Sequence, residues 1–119
     1  MQDQDLGRRT RKLAALVLIT VAATGLGVLT GFAASQLTVS QKGREFTPAE
    51  VTIQRGASLL IVNDDADLRH HAYIDSDKFT YDSGDQEPGS KTNVTFPVAG
   101  TFEVLCAIHP KMRLVVHVN

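Results

Sequence analysis

Residues 106–112, CAIHPKM, bring together three side chains that can bind a soft metal ion. Cys106 is the single cysteine of the 119 residues, and Met112 is the single methionine apart from Met1. His109 lies between them. A thiolate, an imidazole and a thioether are donors suited to copper. Each residue alone could equally be a packing residue, so the prediction of a metal site rests on their combination.

A further imidazole is available in RHHAYI, where His70 and His71 are adjacent and either could complete the site. Two histidines and a cysteine in one plane, with a weak methionine bond, are typical of a mononuclear blue-copper electron-transfer site. Zinc gains little from a thioether and usually takes four strong ligands, or three and a water. The pattern therefore predicts one copper ion that alternates between Cu(I) and Cu(II).

The ligand count also restricts the chemistry. One cysteine excludes a binuclear centre with two bridging thiolates, and four histidines are too few for a trinuclear oxidase cluster in addition to this site. With four protein ligands, no position is open for a substrate, as a catalytic metal would require. We therefore expect a protein that passes single electrons and is not an enzyme.

Short apolar segments with a period near two must position these residues. They are rich in β-branched and aromatic residues, and Gly, Pro, Asn and Asp separate them. The segments predicted as strands are 51–54, 58–63, 71–74, 92–96, 101–105 and 113–118. Six or seven short strands predict an all-β Greek-key sandwich or barrel.

The last predicted strand places Met112 on the core side. Leu114, Val116 and Val118 share a face with Met112, because side chains alternate along a strand. His117 falls on the other face, where we expect an ordinary surface residue. The loop 107–111 then joins two strand ends and folds Cys106, His109 and Met112 to one end of the sandwich.

The N-terminal residues predict membrane targeting. Residues 1–12 form a basic flank that we place in the cytoplasm, and Leu13 to Ala34 contain no charge over 22 residues. At about 1.5 Å per residue, such a segment can cross a bilayer core of roughly 30 Å. We predict one transmembrane anchor or signal helix at 13–35, cleaved or uncleaved, which places residues 36–119 on the periplasmic or extracytoplasmic side.

Residues 36–119 form one small domain with a net charge of −3, from four lysines, four arginines and eleven acidic residues. This charge gives no reason to expect a nucleic-acid partner, and we expect a monomer. Six acids could steer a basic partner or could be ordinary solvated turn residues. They are Asp64, Asp65, Asp67, Asp82, Asp85 and Glu87.

From about residue 37 to the C-terminus the chain resembles the cupredoxins, the family of blue (type 1) copper proteins. The loop CAIHPKM looks like their ligand loop, and its short Cys-x2-His-x2-Met spacing is similar to that of amicyanin. Upstream, the match includes an aromatic residue and a proline before a strand, then a strand ending in Asn before the first ligand histidine, as in EFTPAEVTIQ and SLLIVNDDADLRHHAYI. A further match is AGTFEVLC, which leads into the cysteine.

The resemblance implies roles for individual residues. It aligns His70 with the first copper ligand, beside Cys106, His109 and Met112. His71 aligns with an Asn that braces the site and offers its backbone N–H to the sulfur. Ile108 stands where amicyanin and plastocyanin carry a proline, so its N–H could reach the thiolate and raise the reduction potential.

The position of His109 within its loop also predicts a surface for electron exchange. One edge of His109 is expected to emerge among Ala107, Ile108 and Pro110, where transient redox partners would dock. Two other functions stay open at this stage. The chain could bind copper for delivery elsewhere, without an electron-transfer role, or it could be a metal-free sandwich used for protein interaction.

Overall fold

The computed structural model describes residue 27 and residues 35–119. Within 35–119 the chain forms nine strands joined by turns, and this range contains no α-helix. The strands are β1 (Leu37–Lys42), β2 (Glu45–Thr47), β3 (Glu50–Ile53), β4 (Ser58–Asn63), β5 (Ala72–Asp75), β6 (Thr80–Asp82), β7 (Lys91–Thr95), β8 (Gly100–Cys106) and β9 (Arg113–Val118).

The strands form two sheets packed face to face. One has the order β2-β1-β4-β7 and the other the order β3-β9-β8-β5-β6. The pairs β1–β4 and β3–β9 are parallel, and the remaining neighbours are antiparallel. The predicted all-β Greek-key sandwich is therefore confirmed.

The core lies between the sheets and follows the period of two. In β9 the inward residues Leu114, Val116 and Val118 are at most 4 % exposed, and Met112 just before them is 1 % exposed. The face predicted for Met112 is thus confirmed. Burial of such alternating apolar side chains supplies most of the driving force for a sandwich of this size.

Three strands were not predicted from the sequence: β1, β2 and β6. In β1 the inward residues are Val39 and Gln41, so a buried polar residue interrupts the apolar alternation. Strands β2 and β6 have three residues each, which is too short for a periodic pattern to emerge.

Three strand ends meet at one end of the sandwich. Cys106 is the last residue of β8, and Leu105 pairs with Arg113 of β9, so the ladder places Cys106 beside Met112. Ala72, the first residue of β5, pairs with Cys106 on its other side. The backbone ladder therefore brings His70 and His71 to the same end as the 107–111 loop.

The predicted flank 1–12 lies outside the described residues, as does the segment 13–35 except for Gly27 and Ser35. In the part of the chain that the structure describes, no helix has the length and apolar character needed to span a bilayer.

Candidate metal centre

The loop after Cys106 is closed by its own backbone. The Met112 N–H donates to the His109 carbonyl at 3.0 Å, and the Ala107 N–H donates to the His71 carbonyl at 2.9 Å. The first bond tightens the loop, while the second extends the β5–β8 ladder by one step. Together they hold the His109 ring over Cys106, which is only 2 % exposed.

His70, Cys106 and His109 form a cluster that could hold a metal ion. The Cys106 Sγ lies 3.9 Å from His70 Nδ1 and 3.8 Å from His109 Nδ1, and all three ligand atoms lie within 4.8 Å of one another. Ligand atoms that share one ion at about 2.0–2.3 Å in a trigonal plane stand about 3.8 Å apart. The donor positions therefore fit a trigonal Cys-His-His metal site.

Met112 is placed to supply a fourth donor. Its side chain is buried, and the β8–β9 register places it directly across from Cys106. No carboxylate is grouped with the three donors in the described part of the chain, and the buried set combines nitrogen with sulfur. Such a soft set favours copper over the oxygen-seeking cations Mg²⁺ and Ca²⁺.

The segment that leads to His70 is organised by Asn63, the last residue of β4. The buried Asn63 side chain accepts from the Asp65 N–H at 3.0 Å, which closes an Asx turn. Its Nδ2 donates to the carbonyls of Leu68 at 2.8 Å and Gln86 at 2.9 Å. One amide thus fixes both the start and the end of the loop before His70.

Gln86 holds His70 from the opposite side. The two backbones exchange hydrogen bonds of 3.0 and 2.7 Å, and Gln86 is 1 % exposed. Its Oε1 accepts from Gln41 Nε2 at 2.8 Å and from the Ala72 N–H at 3.1 Å, and its Nε2 donates to Thr92 at 3.1 Å. The backbone of His70 therefore rests on a buried amide network that joins the two sheets.

Asp65 fixes the orientation of the His70 ring. His70 is fully buried, and its Nε2 lies 2.6 Å from Asp65 Oδ2. Because a carboxylate only accepts, Nε2 carries the proton and Nδ1 keeps its lone pair toward Cys106. Burial by itself would raise the pKa of Asp65, but hydrogen bonds from the Gly43 N–H and from His70 outweigh it and lower the pKa.

Replacement of Asp65 by Asn is expected to weaken copper binding about 10–100-fold, the usual cost of losing a carboxylate behind a histidine ligand. The amide oxygen can still accept from Nε2, so the loss of copper affinity reports the removal of the negative charge and not a change of the fold. Competition with a chelator of known affinity measures the effect. The control is Asp67→Asn, at an exposed position of the same loop, which should bind copper like the parent; equal affinities in both variants would contradict the role of Asp65.

The same contact predicts acid sensitivity of the metal-free chain. Because the pKa of Asp65 is lower in the folded than in the unfolded state, the unfolded chain takes up a proton first as the pH falls. The stabilisation is fully present above the ordinary value of 3.8 and is lost as the pH falls through the lowered pKa. Urea unfolding at pH 7, 5 and 3 should show a smaller acid loss for Asp65→Asn than for the parent; an equal loss would contradict it.

The structure separates the two adjacent histidines. His71 points away from the cluster, and its Nε2 and Nδ1 lie 2.5 Å from Asp82 and 3.4 Å from Asp85. Its carbonyl accepts the Ala107 N–H, so its backbone still ties the His70 segment to the loop after Cys106. His117 contacts Glu50 and Thr101 on β3 and β8, with its side chain 38 % exposed.

The loop surface around His109 is open. Ala107, Ile108 and Pro110 are exposed, Ile108 by 44 %, and His109 is half-buried. Burial lowers the pKa of His109, and the neighbouring His70 and Arg44 lower it further against an opposing effect of Asp65. The imidazole is therefore neutral at neutral pH, the form that binds a metal ion.

Sequence reasoning missed the residues that hold His70. The sequence patterns place Asn63 at a strand end and Asp65 in a set of turn acids, and they give Gln86 no role. Asn63 itself was a usable signal, because an Asn side chain at the end of a strand readily accepts from the backbone N–H two residues on and so favours this turn. Nothing local in DQEPGS marks Gln86 for burial, since its partners come from β1 and β7.

No family model matches the chain, and no curated protein matches it. Solved structures do. A copper-containing nitrite reductase from Thermus scotoductus SA-01 is 26 % identical over 71 % of this chain, with a TM-score of 0.64, and the match spans only 22 % of that enzyme.

Amicyanin structures match over most of their own length. A reduced Cu(I) form of an amicyanin variant at pH 4 is 20 % identical, with a TM-score of 0.65, and the match covers 73 % of this chain and 85 % of that one. An oxidised amicyanin variant is 18 % identical, with the same TM-score, over 76 % and 88 %. The described part of the chain thus has the cupredoxin fold, and its cluster of His70, Cys106, His109 and Met112 is typical of a type 1 copper site.

Proposed function

We propose that the chain is a mononuclear type 1 copper protein that carries single electrons between redox partners outside the cytoplasm. One observation carries the proposal: two imidazole nitrogens lie 3.8 and 3.9 Å from a buried thiol, with a buried methionine across the ladder. Copper bound there supplies reversible one-electron chemistry. All donors come from the protein, which suits a carrier better than an enzyme.

The surrounding residues support rapid electron exchange by keeping the donor atoms in place. Asp65 and Gln86 fix His70, and the 107–111 loop fixes His109 to the ends of β8 and β9. Burial of Cys106 and Met112 excludes water from the sulfur donors. A preformed ligand set changes little between oxidation states, and this lowers the reorganisation required for each transfer.

We place the electron exit at His109. Its ring is the half-buried member of the cluster, and the exposed Ala107, Ile108 and Pro110 surround it with apolar surface. Electron-transfer pairs form small and weak interfaces that dissociate quickly. The exposed apolar surface around His109 fits such a contact.

The proposed compartment rests on the sequence. The basic residues before Leu13 and the uncharged segment that follows support export of residues 36–119, with or without a retained anchor. Protease digestion of cells with a permeabilised outer envelope and an intact cytoplasmic membrane tests this placement. Residues 36–119 should be digested, and their resistance to the protease would contradict the proposed location.

Voltammetry of the copper-loaded chain tests electron transfer directly. A carrier should show a reversible one-electron couple together with an intense absorption near about 600 nm, as copper–thiolate sites do. A colourless chain that binds only Cu(I) and gives no reversible couple would overturn the proposal and favour copper delivery.

We also expect Ile108→Pro to lower the reduction potential by about 40 mV, the equivalent of one hydrogen bond of about 1 kcal/mol. The cupredoxin resemblance implies that the Ile108 N–H donates to the Cys106 thiolate, where it would withdraw charge and disfavour Cu(II), and proline removes that N–H. The control Ile108→Ala keeps the N–H and should leave the potential near that of the parent. An unchanged or higher potential in the proline variant would contradict this role.

A further inference from the structure

The surface beside His109 carries positive charge, although the domain as a whole is acidic. A groove runs between the two-residue turn Gly43–Arg44, which joins β1 to β2, and the 108–111 loop. Arg44 and Lys111 line it together with His109, and both residues are exposed. We call Arg44 and Lys111 the basic pair; among residues 35–119, Glu45 is the one acid that lines the groove.

The basic pair has no acidic partner within residues 35–119, because neither residue forms a salt bridge there. The acids that could have attracted a basic partner are mostly engaged. Asp64 accepts from Ser40, and Asp65 from His70. The rest of the engaged acids pair with His71 or Arg69: Asp82, Asp85 and Glu87.

The backbone at Arg44 adds a second observation. Gly43 and Arg44 have φ of 62° and 63°, the left-handed conformation of a type I′ hairpin turn. Gly, Asn and Asp favour this conformation, and a long side chain does not. An arginine that forms no salt bridge within residues 35–119 therefore occupies an unfavourable turn position next to the electron exit.

We propose that the groove docks a redox protein whose electron-exchange surface is acidic, with carboxylates that meet Arg44 and Lys111 around the apolar contact at Ile108 and Pro110. The partner's carboxylates would form salt bridges with the basic pair, which has none within residues 35–119. Such complementary charge steers encounter and fixes orientation more than it adds affinity. This inference rests on the proposed function and assigns its partner class.

Stopped-flow kinetics with two forms of one cytochrome c test the proposal. Succinylation of its lysines makes the cytochrome acidic, whereas the unmodified protein is basic. The full chain, loaded with copper, is mixed with each reduced form at low and at high ionic strength, and the blue absorption is followed. The test variant is Arg44→Asn with Lys111→Gln, because Asn suits the turn and the copper ligands are untouched.

The control variant is Arg55→Gln with Lys78→Gln. It removes the same charge at the opposite end of the sandwich, where Arg55 hydrogen-bonds Asn119 and Lys78 reaches Ala99. At low ionic strength we expect the test variant to react about three- to tenfold more slowly than the parent with the acidic cytochrome, and the control variant to change less than about twofold. Added salt should slow the parent and reduce the difference.

Equal rates for the test and control variants with the acidic cytochrome would contradict the proposal of an acidic partner, as would a loss of rate seen only with the basic cytochrome. Either result would leave the proposed function in place. A chain with no blue absorption and no reaction with either cytochrome would overturn the proposed function, and the docking surface with it.

Discussion

Cys106→Ser should abolish the absorption near about 600 nm that a copper–thiolate bond produces. Serine nearly matches cysteine in size, but a hydroxyl does not ionise at neutral pH and is a poor copper ligand. Cys106 is the single cysteine of the chain, so no other thiolate can replace it. Absorption spectra of the parent and the variant, with equal copper added, measure the loss.

His71→Asn is the matched control for this prediction. His71 contacts Asp82 and Asp85, and its ring lies outside the cluster that His70 joins. We therefore expect the control variant to keep the blue absorption. A serine variant that stays blue, or a His71 variant that loses the colour, would contradict the assigned ligand set.

Phe96→Ala should lower the free energy of unfolding of the metal-free chain by about 3–5 kcal/mol, the usual cost of deleting a buried aromatic side chain. Phe96 is fully buried, with its ring centroid 5.6 Å from that of Phe79 and 6.0 Å from that of Phe102. Truncation leaves a cavity between the sheets that these rings cannot fill without moving the strands. Urea denaturation with an unchanged m-value measures the loss.

Leu37→Ala is the control for the core, because Leu37 is 40 % exposed at the start of β1. Its free energy of unfolding should stay within about 0.5 kcal/mol of the parent. A loss below about 1 kcal/mol for Phe96→Ala would show that the three phenylalanines do not form a packed cluster.

The strands that carry the site could be predicted because their patterns are local. Alternation in β9 fixed the inward face of Met112, and the short spacing between Cys106 and Met112 required a tight loop. His70 could be preferred over His71 only through the cupredoxin resemblance, since both lie immediately before β5. The structure separates them by what each ring contacts.

The support of His70 could not be predicted because it depends on partners distant in sequence. Gln86 contacts Gln41 of β1 and Thr92 of β7, the two strands that flank β4 in the first sheet. Gln41 also explains why β1 was missed, because its inward amide breaks the apolar alternation. That amide is stabilised by its hydrogen bond to Gln86. Buried polar residues of this kind become visible only once the sheets are assembled.

The central claim is that His70, Cys106, His109 and Met112 hold one copper ion as a type 1 site. Titration of the metal-free full chain with Cu(II), followed by visible absorption, tests this claim most directly. We predict an intense band near about 600 nm that grows linearly and stops at one equivalent of copper. A chain that takes up one equivalent without that band, or that takes up no copper, would contradict the claim.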